Sequence, residues 1–208
     1  IYVGKAIDLK TRVSSPRNFK WDKVETIIVE SELEALILEA NLIKKYLPRF
    51  NVRLTDDKDY LYIKITKETF PKILTARKHD LKNSLKYFGP FPSSQTVRNT
   101  LKTLRKVFPW CSMPARSRPI NLKPCFYYHL GLCPGACIEQ ISQLDYKKNI
   151  NHFINFLSGK KEKLIRDLTK EMNIASRLEE FEKAAKIKKT LEGIAYLTQT
   201  QRVSSYLT

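Results

Sequence analysis

A tyrosine, two cations, a carboxylate and an amide (Tyr2, Lys5, Arg12, Glu39, Asn51), and separately four cysteines (Cys111, Cys125, Cys133, Cys137), are the side chains whose types and spacing could do chemistry in this 208-residue chain. Glu39 falls in a run of helical periodicity, between Leu42 and Ile43 on the helical wheel and about 90° from the centre of the apolar stripe at 100° per residue. A carboxylate there is at least half surrounded by hydrocarbon, where an uncompensated charge is costly. Its partner is either a bound divalent metal or a salt bridge with Lys5 or Arg12, and the residues alone leave both open. The cysteines are separated by 13, 7 and 3 residues. Four cysteines in a basic chain with no secretory features favour a metal site over disulfides. Structural zinc usually shows paired C-x2–4-C knuckles, and only the last pair comes close, so zinc, another metal centre and plain thiols all stay open.

Local sequence indicates which elements carry these groups. Ile1-Tyr2-Val3-Gly4 reads as the end of a strand entering a glycine turn, and Asp8 is placed to cap a short helix through Arg12 and Ser15. Thr26 to Val29 is an apolar run expected as a buried strand. Ser31 and Glu34 form the S-x-x-E capping box of a helix from Glu32 to Tyr46, with Leu33, Leu36, Ile37, Ala40, Ile43 and Leu47 as its apolar stripe. Lys44 and Lys45 suit the negative end of its dipole and Pro48 ends it. Tyr60 to Thr66 alternates as a strand, Lys72 to Arg77 is its expected hairpin partner, and Tyr87-Phe88-Gly89-Pro90 reads as a turn. From Ser93 to Val107 the spacing is helical, with Val97, Leu101, Leu104 and Phe108 on one face and Arg98, Lys102, Arg105 and Lys106 on the other, as a rail for phosphates. Pro109 to Cys137, with five prolines and two glycines, is expected to hold little regular structure. Ser142 then caps a helix bearing Tyr146, Ile150, Phe153, Ile154 and Leu157, stopped by Ser158-Gly159. A helical hairpin follows, Lys160 to Arg177 and Phe181 to Thr200. Its second arm aligns Phe181, Ala184, Ala185, Lys188, Leu191 and Ala195, a stripe whose alanines allow a helix of this chain or of a partner to approach closely.

The net charge is +17 and the pI about 9.7, which points to a polyanionic partner. Nucleic acid is the first candidate and a membrane surface the second, with a merely solvated lysine-rich exterior as the plainest alternative. No run approaches the roughly 18 apolar residues of a membrane span, and the first residues lack a signal-peptide layout, so a cytoplasmic location is expected. The charge is uneven: residues 58–110 carry 12 basic and 3 acidic groups, whereas residues 1–57 carry 10 and 9. The electrostatic footprint therefore lies beside the candidate chemistry rather than on it.

The stretch Y-V-G-K-A-x-x-L-x-x-R-V, followed by E-A-x-x-L-E-A-N-L-I-K-K-Y-x-P-x-x-N, resembles the GIY-YIG nuclease domain of the UvrC family. The likeness continues through D-D-K-x-Y-x-Y-I-K-I-T, F-P-K-I and Y-F-G-P-F-P and covers nearly the whole chain. It implies that Tyr2 is the tyrosine of the second signature triplet, a candidate general base or water-orienting group. It further implies that Lys5 and Arg12 neutralise the phosphate, that Glu39 is the one protein ligand of a Mg²⁺ or Mn²⁺ ion, and that Asn51 supports the site. Phosphodiester cleavage consists largely of placing a water in line and stabilising added negative charge, which suits such a set. For the four cysteines the resemblance implies a [4Fe-4S] cluster, with Zn²⁺ as the alternative. Glu180–Lys188 resembles the UVR motif that pairs with the matching hairpin of UvrB, which would put Phe181, Ala184 and Ala185 at that interface. A hairpin serving only its own domain is the alternative.

The expected fold is α+β: a small GIY-YIG-type mixed sheet flanked by helices, then a cysteine-rich segment and an all-helical part. The expected divisions are a nuclease domain at 1–57, a basic DNA-binding extension at 58–110, a four-cysteine segment at 111–141 and a helical region at 142–208. Two departures from the family pattern qualify this. The first signature triplet precedes Ile1 and is absent, leaving the site incomplete as written. Pro16 follows Ser15 where the family has a longer link, so residues are expected to be missing between them. The leading reading is a metal-dependent endonuclease subunit that incises damaged double-stranded DNA on the 3′ side of a lesion. A catalytically incomplete DNA-binding and UvrB-docking adaptor and a stand-alone Cho-like nuclease are the alternatives.

Overall fold

A computed structural model describes residues 1–14, 22–52, 60–91, 93–112 and 123–199. The expected Ser15–Pro16 discontinuity lies outside these residues. The first helix, α1 (Leu9–Ser14), starts where Asp8 accepts the Lys10 N–H at 2.9 Å and the Thr11 hydroxyl, as a capping carboxylate should. α2 (Glu32–Tyr46) starts at Ser31, whose hydroxyl accepts the Glu34 N–H at 3.1 Å. The capping box closes one residue early, because the Glu34 carboxylate takes the Glu30 N–H at 3.1 Å. α2 buries Leu36, Ile37, Ala40 and Ile43, but not Leu47. That residue is the C-cap, left-handed at φ 44° with its N–H on the Ile43 carbonyl, and the reversal turns its side chain to solvent. α3 (Arg49–Val52) follows directly.

Three antiparallel strands, β1 (Leu61–Thr66), β2 (Ile73–Ala76) and β3 (Ser84–Phe91), form a sheet in the order β2-β1-β3. The ladder pairs Ile65 with Ile73 and Ile63 with Phe88, giving a buried apolar face as the alternation required. The segment Tyr87–Pro90 is not a turn but the second half of β3. Its irregularity is a bulge: Leu61 faces Phe91 while Ile63 faces Phe88, so one residue is absorbed around Gly89-Pro90 and both phenylalanines stay inward. Gly89 is at φ +121°, and a Cβ there would meet the Leu61 carbonyl at 3.1 Å.

The expected mixed sheet is thus wholly antiparallel among the described residues and lies in the basic extension. Neither Ile1–Gly4 nor Thr26–Val29 forms a strand; Ile27 and Ile28 are exposed. No strand among the described residues stands beside either segment, and an apolar run without a ladder partner has nothing to bury it.

α4 (Ser94–Val107) is capped by Ser93 and buries Val97, Leu101, Leu104 and Val107. The cysteine segment holds only α5 (Phe126–His129) and a short 3-10 turn at Ala136–Ile138. α6 (Gln143–Leu157) is capped by Ser142 and ended by Ser158 and Gly159, the latter at φ 74°. α7 (Lys161–Arg177) and α8 (Phe181–Gln199) form the hairpin. One contiguous core runs from Leu36 through Ile63, Leu104 and Phe153 to Leu164 and Ile194, so the hairpin packs against α2 and α4 as well as on itself. Among the described residues no helix is long and apolar enough to cross a membrane.

Candidate active site and cysteine segment

Tyr2, Lys5, Arg12, Glu39 and Asn51 are brought together although they come from three parts of the chain. Asn51, buried within α3, pairs with the backbone as a strand would: its Oδ1 accepts the Val3 N–H at 2.8 Å and its Nδ2 donates to the Val3 carbonyl at 2.7 Å. This pair of hydrogen bonds fixes the irregular segment that carries Tyr2 and Lys5. The phenol of Tyr2 accepts from the Arg12 guanidinium at 2.8 Å. Its ring lies so close over Gly4 that an added Cβ would meet it at 2.7 Å, which explains the glycine in this position. Beside these groups an open depression is lined by Lys5, Ala6, Asp8, Thr11 and Arg12. Asp8 lines it while serving as the cap of α1, and its bonds to Thr11 and Lys10 hold its carboxyl below the usual range.

Glu39 is 8% exposed on α2. Its Oε1 accepts the Lys5 backbone N–H at 3.2 Å, whereas Oε2 has no hydrogen-bond partner. The Lys5 ammonium goes instead to Glu32 at 2.5 Å. Burial pushes the Glu39 carboxyl up, opposed by the Lys5 N–H and by the charges of Lys5 and Arg12. Of the two compensations open in the sequence, then, the direct salt bridge is not the one formed. A buried, orphaned carboxylate oxygen fits a divalent cation, and Glu39 is the residue that would hold it.

On α4, Arg98, Lys102 and Lys106 are exposed together, as a phosphate rail requires. Arg105 does not belong with them. Its Nε donates to the Leu132 carbonyl at 2.9 Å, and its Nη2 to the Trp110 carbonyl at 2.9 Å and the Ser112 hydroxyl at 2.8 Å. The guanidinium also lies 4.0 Å from the Tyr127 ring centroid. Helical spacing alone could not separate it from its neighbours, because the distinguishing contacts come from residues 5 to 27 positions away.

The four cysteines are free thiols, with Cys111, Cys133 and Cys137 buried and Cys125 half-buried. They share one neighbourhood: a hydrogen bond to Cys111, burial, and the charges of Cys111 and Cys125 push the Cys133 thiol up. Burial and the same two neighbours do so for Cys137. Among the described residues, no three His, Cys, Asp or Glu side chains close around a single ion. The fit to a metal centre is one of donor chemistry: four neighbouring thiols, of which Cys133 and Cys137 are pushed up by burial and by the thiols around them, a cost that a metal accepting them as thiolates would remove. Tyr146, buried on α6 and absent from the sequence-based set, donates to the Pro71 carbonyl at 2.7 Å and accepts the Cys111 N–H at 3.1 Å, tying this segment to the sheet.

On α8 the inward side is Ile187, Leu191, Ile194 and Leu197. Phe181, Ala185, Lys188 and Ala195 face outward and Ala184 is half-buried, so the stripe read as one face is divided and Leu191 belongs to the chain's own core. Gly193 permits the approach of α8 to α4, since a Cβ there would meet Val107 Cγ2 at 2.7 Å.

A nuclease-type head, a cysteine-bearing middle and a helical hairpin are the parts of an excinuclease polypeptide, and family models match them in that order. Residues 1–52 match the UvrC-like GIY-YIG domain, residues 60–156 the UvrC/Cho excinuclease middle domain, and residues 162–196 the UvrB/uvrC motif. The chain is similar to UvrABC system protein C of Caldanaerobacter subterraneus subsp. tengcongensis, 41% identical over 221 residues covering 99% of this chain and 36% of the relative. It is similar to the same protein of Clostridium kluyveri, 40% identical over 222 residues with 99% and 35% covered, and of Streptococcus pyogenes serotype M3, 41% identical over 216 residues with 99% and 35% covered. No solved structure matches. The chain belongs to the UvrC family and corresponds to its N-terminal region. It spans about a third of the length of the curated relatives it matches.

Proposed function

We propose that this chain is a DNA-incising part of a UvrC-type excinuclease, cutting damaged double-stranded DNA on the 3′ side of a lesion in the cytoplasm. The observation that carries the reading is the buried Glu39 oxygen with no donor, next to a depression lined by Lys5 and Arg12. A divalent Mg²⁺ or Mn²⁺ ion bound by Glu39 would supply Lewis-acid stabilisation of the phosphate oxygens. Arg12 lines the depression and donates to Tyr2, so it holds the phenol near the place where a scissile phosphate would sit. Lys5 offers an ammonium already shared with Glu32, and Asn51 keeps the whole segment in register through Val3. The exposed rail of Arg98, Lys102 and Lys106 would take the duplex backbone, and the outward Phe181 and Ala185 would meet a UvrB-type hairpin. Cys111, Cys125, Cys133 and Cys137 would hold a [4Fe-4S] cluster, with zinc as the alternative. Mg²⁺-dependent nicking of lesion-bearing DNA in the presence of the partner tests the reading. Glu39→Ala is expected to abolish 3′ incision while leaving DNA binding intact, and equal cutting by the variant would remove Glu39 from the metal site.

A further inference from the structure

Arg105 was expected among the phosphate-binding cations, yet its guanidinium bonds and stacks on the cysteine segment and on Trp110 just before it. It bonds the carbonyl of Leu132, which precedes Cys133, and the carbonyl of Trp110, which precedes Cys111. It also bonds the hydroxyl of Ser112, which follows Cys111, and stacks on Tyr127, two residues beyond Cys125. One planar fork thus joins the backbone beside two of the thiols, Cys111 and Cys133, and reaches the stretch of a third, Cys125, through the Tyr127 ring, across positions up to 22 residues apart. Regular structure does little of this work, since only a four-residue helix and a short 3-10 turn lie between Cys111 and Cys137 among the described residues. The fourth thiol, Cys137, follows Cys133 closely and is held by the turn, where the Gly135 carbonyl accepts the Ile138 and Gln140 N–H groups. Lysine could supply the charge but not the flat five-donor geometry that satisfies two carbonyls and a hydroxyl at once while stacking on an aromatic ring.

We infer that Arg105 is the positioning residue of the cysteine site: from α4 it assembles the Cys111, Cys125 and Cys133 stretches before a metal centre is bound. The inference rests on the reading that the four thiols hold such a centre. Because α4 also carries Arg98, Lys102 and Lys106, loading of the site and presentation of the basic face share one helix.

The test uses the whole chain, reconstituted anaerobically with iron and sulfide, and in a separate arm titrated with Co²⁺ to read thiolate-to-metal absorption. Wild type, Arg105→Met, Arg105→Lys and Ser112→Ala are compared for metal per chain and for the rate of metal loss to a chelator. The helicity and melting of each metal-free form are measured alongside. Arg105→Met is expected to remain folded without metal but to lose its metal on the order of tenfold faster, the usual cost of removing a group that orients ligands. Arg105→Lys is expected to recover only part of this. Ser112→Ala, which removes one exposed partner of the fork, is expected to show a smaller effect in the same direction. Retention by Arg105→Met equal to that of wild type would overturn the inference, as would full rescue by Arg105→Lys or a loss accounted for entirely by unfolding of the metal-free variant. Wild type that takes up neither iron nor cobalt would overturn the underlying reading of the thiols instead.

Discussion

The Oε1 atom of Glu39 takes one backbone N–H and Oε2 takes none, while the nearest ammonium, that of Lys5, is engaged by Glu32. A buried carboxylate so placed weakens the fold it sits in. With burial raising the carboxyl above its ordinary 4.5, the folded chain keeps this proton to higher pH than the unfolded chain, so stability falls as pH rises from there through the raised value. Glu39→Gln retains an acceptor for the Lys5 N–H and removes the charge. In urea unfolding at neutral pH without divalent ions, the variant is expected to be more stable by about 1 kcal/mol. It is also expected to lose the stabilisation that Mn²⁺ gives the wild type. A variant no more stable than wild type and still stabilised by Mn²⁺ would show that the ion is held elsewhere. The position of Glu39 was legible beforehand because a carboxylate at the margin of an apolar stripe can be located from helical periodicity alone. What Asn51 and Gly4 do was not, since one holds Val3 through two side-chain hydrogen bonds and the other leaves room for a ring, and both are consequences of the tertiary fold.

At the scale of elements, the helices with clear caps formed where their residues placed them, including Ser31, Ser93 and Ser142, each accepting the N–H three residues on. The two misread segments failed for different reasons. Thr26–Val29 has the composition of a strand but no neighbour to pair with among the described residues, and Tyr87–Pro90 has the composition of a turn but is held in β3 by the buried Phe88 and Phe91. In the second segment local composition is overridden by the burial of large side chains. The packing of α8 on α4 is a second feature that spacing did not show. Gly193→Leu is expected to lever the hairpin away from Val107 and destabilise the chain by about 2 kcal/mol, read from the urea midpoint at unchanged slope. An unchanged midpoint would mean that the two helices part freely. His152 on α6 gives the fold a pH dependence. Burial lowers its pKa below the ordinary 6.5, with Glu171 and Asp167 opposing and Lys148 assisting. The unfolded chain therefore protonates first, and stability present above 6.5 is lost as pH falls through the lowered folded value. His152→Gln is expected to flatten this arm of the stability profile between neutral pH and about pH 5, where histidine changes charge. A profile as steep as that of wild type would place the acid sensitivity on other groups.

Across the whole molecule, a single core joins the three matched regions, and the Lys161 ammonium at the start of the hairpin bonds Glu34 on α2 at 2.7 Å. The head, the basic middle and the hairpin therefore present their surfaces in fixed relation, and the charge that residues 58–110 contribute is organised rather than merely abundant. Its organisation can be tested through salt. Each phosphate neutralised on duplex DNA contributes about 0.9 to the slope of log affinity against log salt concentration. Arg98, Lys102 and Lys106 are exposed on one helix, whereas Arg105 is occupied by the cysteine segment. Neutralising the three exposed cations together is expected to reduce the slope by about 3, with a uniform loss of affinity across sequences. Arg105→Met is expected to leave the slope of the metal-loaded chain within a few tenths of wild type, since it removes no phosphate contact. The two variants change charge on the same helix, so a rail acting only through net charge would make the single substitution worth a third of the triple one. Measured that way, by fluorescence anisotropy over a salt series, a slope that scales simply with the number of charges removed would refute the separation of α4 into a DNA-facing side and a side that holds the thiols.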